Sequence, residues 1–385
     1  MGRLMAGLGD HWGDDTAVER LCNAWPGEIG PAGASLPLRL AGGLHALVLT
    51  GQDASLSALY PPAETDADTL AQEARRAFHR HEAFFLDWLT HAPQTNEVRR
   101  SVALIAGAAL LTARHGLPLV LSELGASAGL NLNFDRFALD LPGQSLGAAD
   151  PLFRLAPDWT GALPPGTGFT VTDRRGVDLN PLDPADPDHA LRLLAYLWPD
   201  QPERIARSRA AMSAPPAPVD RGDAGDWLAR RLKVPCPGQL HLIYHTIAWQ
   251  YFPERTSETA LATLDRAGDA ATQDAPIARL SMETDGQSPG AALNLTTWPG
   301  GDTEHLGRID YHGRWVNWAL YPAALQWLFN RGLPVHATPR TNGDADAGDT
   351  EMGFAAGCSG GACGGGGRPL ETRRNHTAVG CQHAL

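Results

Sequence analysis

The chain has 385 residues, and 43% of them are hydrophobic, which is enough to build a sizeable core in one large or two smaller domains. Its formal net charge of -12 argues against a general nucleic-acid binder, because a phosphate backbone is held mainly by clustered Lys and Arg. The start of the chain lacks a long apolar segment, and the longest apolar run, at 101–113, is too short to cross a bilayer. We therefore expect a cytoplasmic protein without a membrane partner.

The cysteines are scattered along the chain, without a CxxC pair and without a matching histidine spacing. This pattern predicts neither a zinc site nor a disulfide framework, so no metal is expected. The five positions are Cys22, Cys236, Cys358, Cys363 and Cys381.

Residues 1–114 are predicted to be an N-terminal helical cap region. Between 65 and 88, apolar or small residues recur at steps of three or four, which indicates one buried face of a helix. A second helix is predicted over 96–114, and Gly116 suits its C-terminal end. No strand is predicted before residue 117.

Residues 115–319 show short apolar runs separated by helices. The run LPLVLSEL at 117–124 is typical of a strand buried on both faces of a parallel sheet. We therefore predict a Rossmann-like α/β domain with an open, mostly parallel sheet and a C-terminal antiparallel hairpin around His312 and Gly313. The further strands are predicted at 168–173, 239–246, 277–283 and 292–298, and the hairpin at 308–318.

Three other segments complete the predicted organisation. Asp200 with Glu203 resembles a capping box, and Asp223 is predicted to begin another helix. Residues 134–168, rich in Pro and Gly, are interpreted as an inserted excursion. Residues 335–385 include TNGDADAGDT and CSGGACGGGG, with almost no apolar residues at a helix or strand period, so they are predicted to be a disordered tail.

The stretch LSELGASAGLNL, at 121–132, supports two interpretations. Around Ser127 it is G-x-S-x-G, the signature of a nucleophilic serine. A nucleophile elbow, however, normally follows several earlier strands and an upstream oxyanion loop, and neither is predicted here. A triad of Ser127, an acid and His245 can be drawn, so an α/β hydrolase stays an alternative.

The same stretch also fits a cofactor-binding turn that follows the first strand. Glu123 ends the strand, and Gly125, Ser127 and Gly129 are small enough for the backbone to approach a ligand closely. A carboxylate at this point repels a pyrophosphate but suits a ligand with ammonium and sulfonium groups. The residues therefore favour S-adenosylmethionine as cofactor over a nicotinamide dinucleotide. A nicotinamide-dependent enzyme and a non-catalytic nucleotide-binding Rossmann protein remain alternatives.

A second acid is expected at the end of the next strand, where it binds the ribose hydroxyls about 20 residues further on. Asp178 in GVDLNPLD has the right local sequence but lies almost fifty positions past Gly129. Asp140 is nearer to the usual spacing. We prefer Asp178, with the excursion at 134–168 accounting for the extra length.

Several motifs resemble known families. ELGASAGLN together with GVDLNP resembles the first two motifs of class I S-adenosylmethionine-dependent methyltransferases. PQTNEVRRS, LSELGASAGLNLNFDRF, RRGVDLNPLDP, LWPDQPERIAR, VDRGDAGDWL and YHTIAWQYFP, in this order, are similar to a bacterial family called domain of unknown function 2332, over roughly residues 15–319. The resemblance implies a methyltransferase-like core and brings no established substrate or catalytic residue.

Substrate-facing groups are expected beyond the carboxyl ends of the parallel strands. The predicted strand at 239–246 ends there, so His245 is a candidate general base, with Tyr244 and Trp249 in the substrate pocket. Asn96, after the plausible helix cap Thr95, is predicted to close over the same pocket. The expected acceptor is a small molecule, and the sequence leaves the oligomeric state open.

Overall fold

Eleven α-helices and twelve β-strands form across residues 1–30 and 33–319, the parts of the chain that the computed structural model describes. The predicted tail at 335–385 lies outside the described residues. The chain up to residue 115 is helical, as its sequence predicts. Its helices are α1 (Gly2–Asp10), α2 (Ala17–Asn23), α3 (Leu36–Leu49), α4 (Ala54–Leu59), α5 (Ala67–Arg80), α6 (Glu82–Trp88) and α7 (Ser101–His115).

Two helix predictions in this region need correction. The helix expected over 65–88 is interrupted at His81, where the Asp53 carboxylate binds both Arg80 and His81 between α5 and α6. The helix expected from residue 96 begins instead with a 3-10 turn at Val98–Arg100, and Glu97 rather than Thr95 caps that turn. The predicted end at Gly116 is confirmed, since Gly116 adopts a φ of 67°.

Five parallel strands form one half of the main sheet. They are β1 (Leu119–Leu124), β6 (Val171–Asp178), β7 (Val219–Arg221), β8 (Leu240–Thr246) and β9 (Ile277–Glu283). Side by side they run β7-β6-β1-β8-β9. Counted in chain order this is 3-2-1-4-5, the order of doubly wound nucleotide-binding sheets, in which ligands bind where the order reverses beside the first strand.

Antiparallel strands extend the sheet beyond β9. They are β10 (Ala291–Trp298), β11 (Asp302–Ile309) and β12 (Trp315–Trp318). The predicted hairpin at 308–318 is confirmed: it links β11 to β12 and turns at Gly313, whose φ is 69°. At the edge, β5 (Asp158–Gly161) pairs with β12 in parallel.

The excursion at 134–168 has a sheet of its own. In it, β2 (Ala138–Leu141) pairs with β3 (Gln144–Gly147) and with β4 (Arg154–Leu155). The same excursion provides β5, which reaches the far edge of the main sheet. These strands have two to four residues each, too few for an alternating pattern to be recognised in the sequence.

Helices connect the parallel strands. Asp223 caps α10, as predicted, by accepting from the N–H groups of Gly225 and Asp226. The capping box predicted at Asp200 and Glu203 is wrong, because α9 begins after Gln201 and has no side-chain cap. The connecting helices are α8 (Pro187–Ala195), α9 (Pro202–Met212), α10 (Ala224–Arg231) and α11 (Glu254–Asp269).

Both faces of the sheet are covered. Leu242 and Tyr244 of β8 belong to the cluster with α7, whereas Ile243 between them packs with α10 and α11. The helix α7 approaches β9 closely at Gly107, where an added Cβ would lie 2.8 Å from the Leu280 side chain. Among the described helices, none has both the length and the apolar character to span a bilayer.

The Leu280→Ala variant tests this packing. Leu280 is 1% exposed, so its truncation leaves a cavity under α7 and should lower the free energy of unfolding by about 2–5 kcal/mol. Leu261→Ala is the matched control, because Leu261 is 41% exposed and should lose less than about 1 kcal/mol. Urea unfolding followed by circular dichroism measures both. Equal losses in the two variants would contradict the assigned core.

Candidate functional site

The carboxyl ends of the parallel strands gather acidic side chains at one edge of the sheet. Glu123 lies near the end of β1, beside Tyr244 on β8. Asp178 ends β6 and Glu283 ends β9. Because these strands are parallel neighbours or nearly so, their ends form one continuous rim next to the point where the strand order reverses.

In the turn after β1, every second residue has a left-handed backbone conformation. Gly125, Ser127 and Gly129 have φ values of 73°, 53° and 69°. Asp178 accepts a hydrogen bond at 2.8 Å from the N–H of Ser127, so the end of β6 holds the bend directly. The bend continues into a 3-10 stretch at Leu130–Arg136.

The glycines of this turn are closely packed by the protein itself. A Cβ at Gly125 would lie 2.6 Å from the Cβ of Ala248, and one at Gly129 would lie 2.7 Å from Val219. Both positions therefore need glycine for internal packing, and a ligand's close approach to their backbone stays a prediction. Ser127 differs, because its buried Oγ has no hydrogen-bond partner among the described residues.

Glu123 is a buried carboxyl group without an ion pair among the described residues. It is 2% exposed, and its one side-chain hydrogen bond comes from the Tyr244 hydroxyl at 3.4 Å. Burial raises the pKa of Glu123 well above its usual range, and the charge of Asp178 raises it further. The Tyr244 hydroxyl and the charge of Arg100 act in the opposite direction but do not offset burial.

The two candidate ribose ligands lie in different places. Asp178 is at the turn, where its second oxygen accepts from Asn180 N at 2.9 Å and from the Gln94 amide at 3.4 Å. Asp140 lies on β2 in the small sheet and binds Arg154 at 2.7 Å. Of the two, the structure brings only Asp178 next to Ser127.

His245 has a geometry that does not suit the predicted general base. Its ring is fully buried; Nδ1 lies 2.7 Å from Glu283, and Nε2 accepts from the Arg279 Nε at 3.1 Å. Burial lowers its pKa. With both ring nitrogens occupied, His245 links two strands and has no lone pair free for a substrate proton. The Ser127 Oγ makes no hydrogen bond to His245 or to any other described residue, so the triad drawn from the sequence is not assembled.

The three residues predicted for the substrate pocket have different surroundings. Tyr244 is fully buried beneath Glu123. The Trp249 ring packs 4.7 Å from the His245 ring, with the Arg279 guanidinium 4.4 Å from its centroid. Asn96 accepts from Leu130 N at 2.9 Å and so fastens the segment before α7 to the turn. None of the three has a side chain that is mainly exposed.

Next to Asn96 lies a cluster of charged groups that the sequence analysis did not assign. Glu97 is 3% exposed; Arg204 on α9 donates to it at 2.6 Å, and the His312 ring lies 3.7 Å away. Burial alone would raise the Glu97 pKa, but His312, the charge of Arg204 and the Arg99 N–H lower it to about 2. Arg100 donates to the carbonyl groups of Thr246 and Tyr311. Residues more than 100 positions apart therefore meet here.

A cavity of about 550 Å³ lies elsewhere, between α11 and the strands β9 and β10. It is near Trp298, which pairs with Ile277 at the amino end of β9, away from the glycine turn. No group of three or more histidine, cysteine or acidic side chains within the described ranges is arranged to hold a metal ion.

The fold and the rim define a Rossmann-like α/β protein whose candidate site lies beyond the carboxyl ends of β1, β6 and β8. A family model described as an uncharacterized protein conserved in bacteria (DUF2332) matches residues 1–318. The chain belongs to this family. The family model matches from residue 1, whereas the motif resemblance began at about residue 15. No curated protein and no solved structure matches the chain.

Glu97→Gln tests the buried ion pair. The Glu97 pKa of about 2, against an ordinary 4.5, stabilises the fold by about 3 kcal/mol at neutral pH. The folded-state pKa is lowered, so this stability is present above the unfolded pKa and is lost as pH falls through the folded pKa. In urea unfolding, the difference between wild type and variant should shrink by about 2 kcal/mol from about pH 5 to about pH 3.

Glu203→Gln is the control for this variant, because the Glu203 side chain is 91% exposed on the same helix as Arg204. Its effect should stay within about 0.5 kcal/mol at every pH. A Glu97→Gln difference that is the same at both ends of the pH range would show that the Glu97 pKa is not lowered.

Proposed function

We propose that the protein is an S-adenosylmethionine-dependent methyltransferase acting on a small-molecule acceptor. The observation that carries this proposal is Glu123, an acid that is 2% exposed and has no cationic partner among the described residues. A buried charge is tolerated when a ligand or side chain of opposite sign compensates it. A cationic ligand at the end of β1 supplies that compensation.

The surroundings of Glu123 fit the rest of such a cofactor. The unpaired Ser127 Oγ is a hydrogen-bonding group at the bend next to Glu123. Asp178 is partly exposed and is positioned to accept from a ribose hydroxyl pair in addition to its present bonds. The following residue, Leu179, is 60% exposed, and its apolar side chain offers a surface for a base.

The strand order supports the same conclusion. In a 3-2-1-4-5 sheet the ligand lies beyond β1, where the order reverses, and the predicted cofactor residues lie at the ends of β1 and β6. The methyltransferase type of this sheet, which the sequence resemblance implied, remains part of the proposal. A nicotinamide dinucleotide would instead place its pyrophosphate near Glu123. Because the pyrophosphate is anionic, it cannot compensate the charge of this acid.

The residues of this chain contribute positioning rather than proton transfer. Bound S-adenosylmethionine supplies an electrophilic methyl group, and its transfer needs an in-line approach by the acceptor. Glu123 would hold the ammonium group and Asp178 the ribose. Because His245 is committed to Glu283 and Arg279, it keeps the loop after β8 in place and does not move a proton.

Calorimetry with four ligands separates the two acids. Glu123→Gln should weaken S-adenosylmethionine and S-adenosylhomocysteine by at least about tenfold and leave adenosine unchanged, since adenosine lacks the cation. Asp178→Asn should weaken all three, because each contains the ribose. NAD should bind poorly to every form.

Asp140→Asn is the matched control, since Asp140 lies on the small sheet, and it should bind as wild type does. If no adenosyl ligand binds wild type more tightly than about millimolar, a free energy of about 4 kcal/mol, the methyltransferase proposal is wrong.

Proton linkage gives an independent test of Glu123. Its raised pKa favours the neutral carboxyl group in the free protein, and a bound cation favours the ionised form. Binding of S-adenosylmethionine should therefore release a proton, and affinity should increase with pH until Glu123 ionises in the free protein. Calorimetry in two buffers of different ionisation enthalpy measures the release. Adenosine should release none, and Glu123→Gln should abolish the release; an unchanged release in that variant would exclude Glu123 as its source.

A further inference from the structure

Four arginines converge beside the rim, in a protein whose formal net charge is -12. Arg99 and Arg100 precede α7, and Arg204 and Arg207 share one face of α9 together with the buried Ser208. The acidic groups that act on them are few. They are Glu97, the exposed Glu203, and Glu283 at the end of β9.

These arginines differ in how their charge is used. Arg204 donates to the buried Glu97 carboxylate, and Arg100 donates to two backbone carbonyl groups. Arg207 is without such a partner: its buried Nε makes no hydrogen bond to any described residue, and its ion pair with Glu203 spans 3.8 Å to a side chain that is 91% exposed. An exposed pair of this kind stabilises little.

Arg99 and Arg207 also repel each other. Burial lowers the pKa of Arg207, and the charge of Arg99 lowers it further. The guanidinium of Arg99 makes no hydrogen bond or ion pair with the described part of the chain, where its one polar link to Glu97 is through the backbone N–H. Arg99 lies on the 3-10 turn at Val98–Arg100, and this turn contacts α9, the helix of Arg207. Two like charges on contacting elements, one with a buried unsatisfied donor, form a site that an anion would stabilise.

We propose that Arg99 and Arg207 bind an oxyanion, a carboxylate or phosphate group, carried by the substrate of this protein. The site is next to the turn, because Asn96 binds Leu130 N and the carbonyl of Glu97 accepts from Asn131. If the methyltransferase function proposed above is correct, the acceptor is an anionic small molecule. Guanidinium groups suit both oxyanions because they donate two parallel hydrogen bonds.

The test uses the full chain with inorganic phosphate and with malonate as probes, in thermal-shift and calorimetric titrations at constant ionic strength. Wild type should be stabilised by at least one probe, and the preferred probe identifies the group as phosphate or carboxylate. Arg207→Gln and Arg99→Gln should each weaken this binding by at least about tenfold, the loss of one charge-assisted hydrogen bond. Arg209→Gln, on the exposed side of the same helix, should bind as wild type does.

Equal binding by all four proteins, or no stabilisation of wild type by either probe, would overturn the proposed oxyanion site. S-adenosylmethionine binding, measured on the same samples, separates this result from the methyltransferase proposal. Oxyanion binding that depends on Arg207 without any adenosyl binding supports the site and removes the methyltransferase function. Adenosyl binding without oxyanion binding supports the methyltransferase function and removes the oxyanion site. Circular dichroism of each variant establishes that the substitution has not unfolded the chain.

Discussion

The candidate site depends on a short set of hydrogen bonds that fasten the turn after β1. Asp178 accepts from Ser127 N, and Asn96 accepts from Leu130 N, so the bend is fixed from the end of β6 and from the segment before α7. These bonds bring the N-terminal helical region to the rim of the sheet. The 3-10 turn of that segment, which includes Arg99 and Arg100, contacts α9 with its arginines.

Charge is distributed unevenly around that turn. The acid next to the bend, Glu123, is buried and has no ion pair among the described residues. Arg207 beside the rim has only a 3.8 Å pair with the exposed Glu203, and its buried Nε makes no hydrogen bond to a described residue. Burial disfavours the ionised form of Glu123 unless a cation compensates it, and a buried guanidinium donor without a partner also costs free energy. A ligand that is cationic next to Glu123 and an acceptor that is anionic next to the arginines satisfy both groups at once. The two proposals follow from the same imbalance.

The sequence predicted the strands β1, β8, β9 and β10 closely, but it placed the second parallel strand at 168–173 instead of Val171–Asp178 and did not predict β7. The strands β1 and β8 are buried along their whole length and β9 is buried at alternate positions, and both patterns can be recognised in a sequence. The strands of the excursion are too short for that signal, and the break at His81 depends on Asp53, a contact between helices that no local pattern contains. Likewise Asp178 could be selected from GVDLNP, but the convergence of Glu97, Arg204 and His312 needs the fold.

His245 shows why residue type at a strand end does not establish chemistry. A histidine beyond a parallel strand is well placed to accept a proton, yet here Glu283 and Arg279 occupy both ring nitrogens. The same Glu283 oxygen also accepts from the N–H groups of Ala248 and Trp249, so the histidine helps to hold the loop that packs on Gly125. His245 therefore helps to fix the position of this loop and is not available as a base. Methyl transfer, which depends on alignment more than on proton transfer, is chemistry that such a site can support.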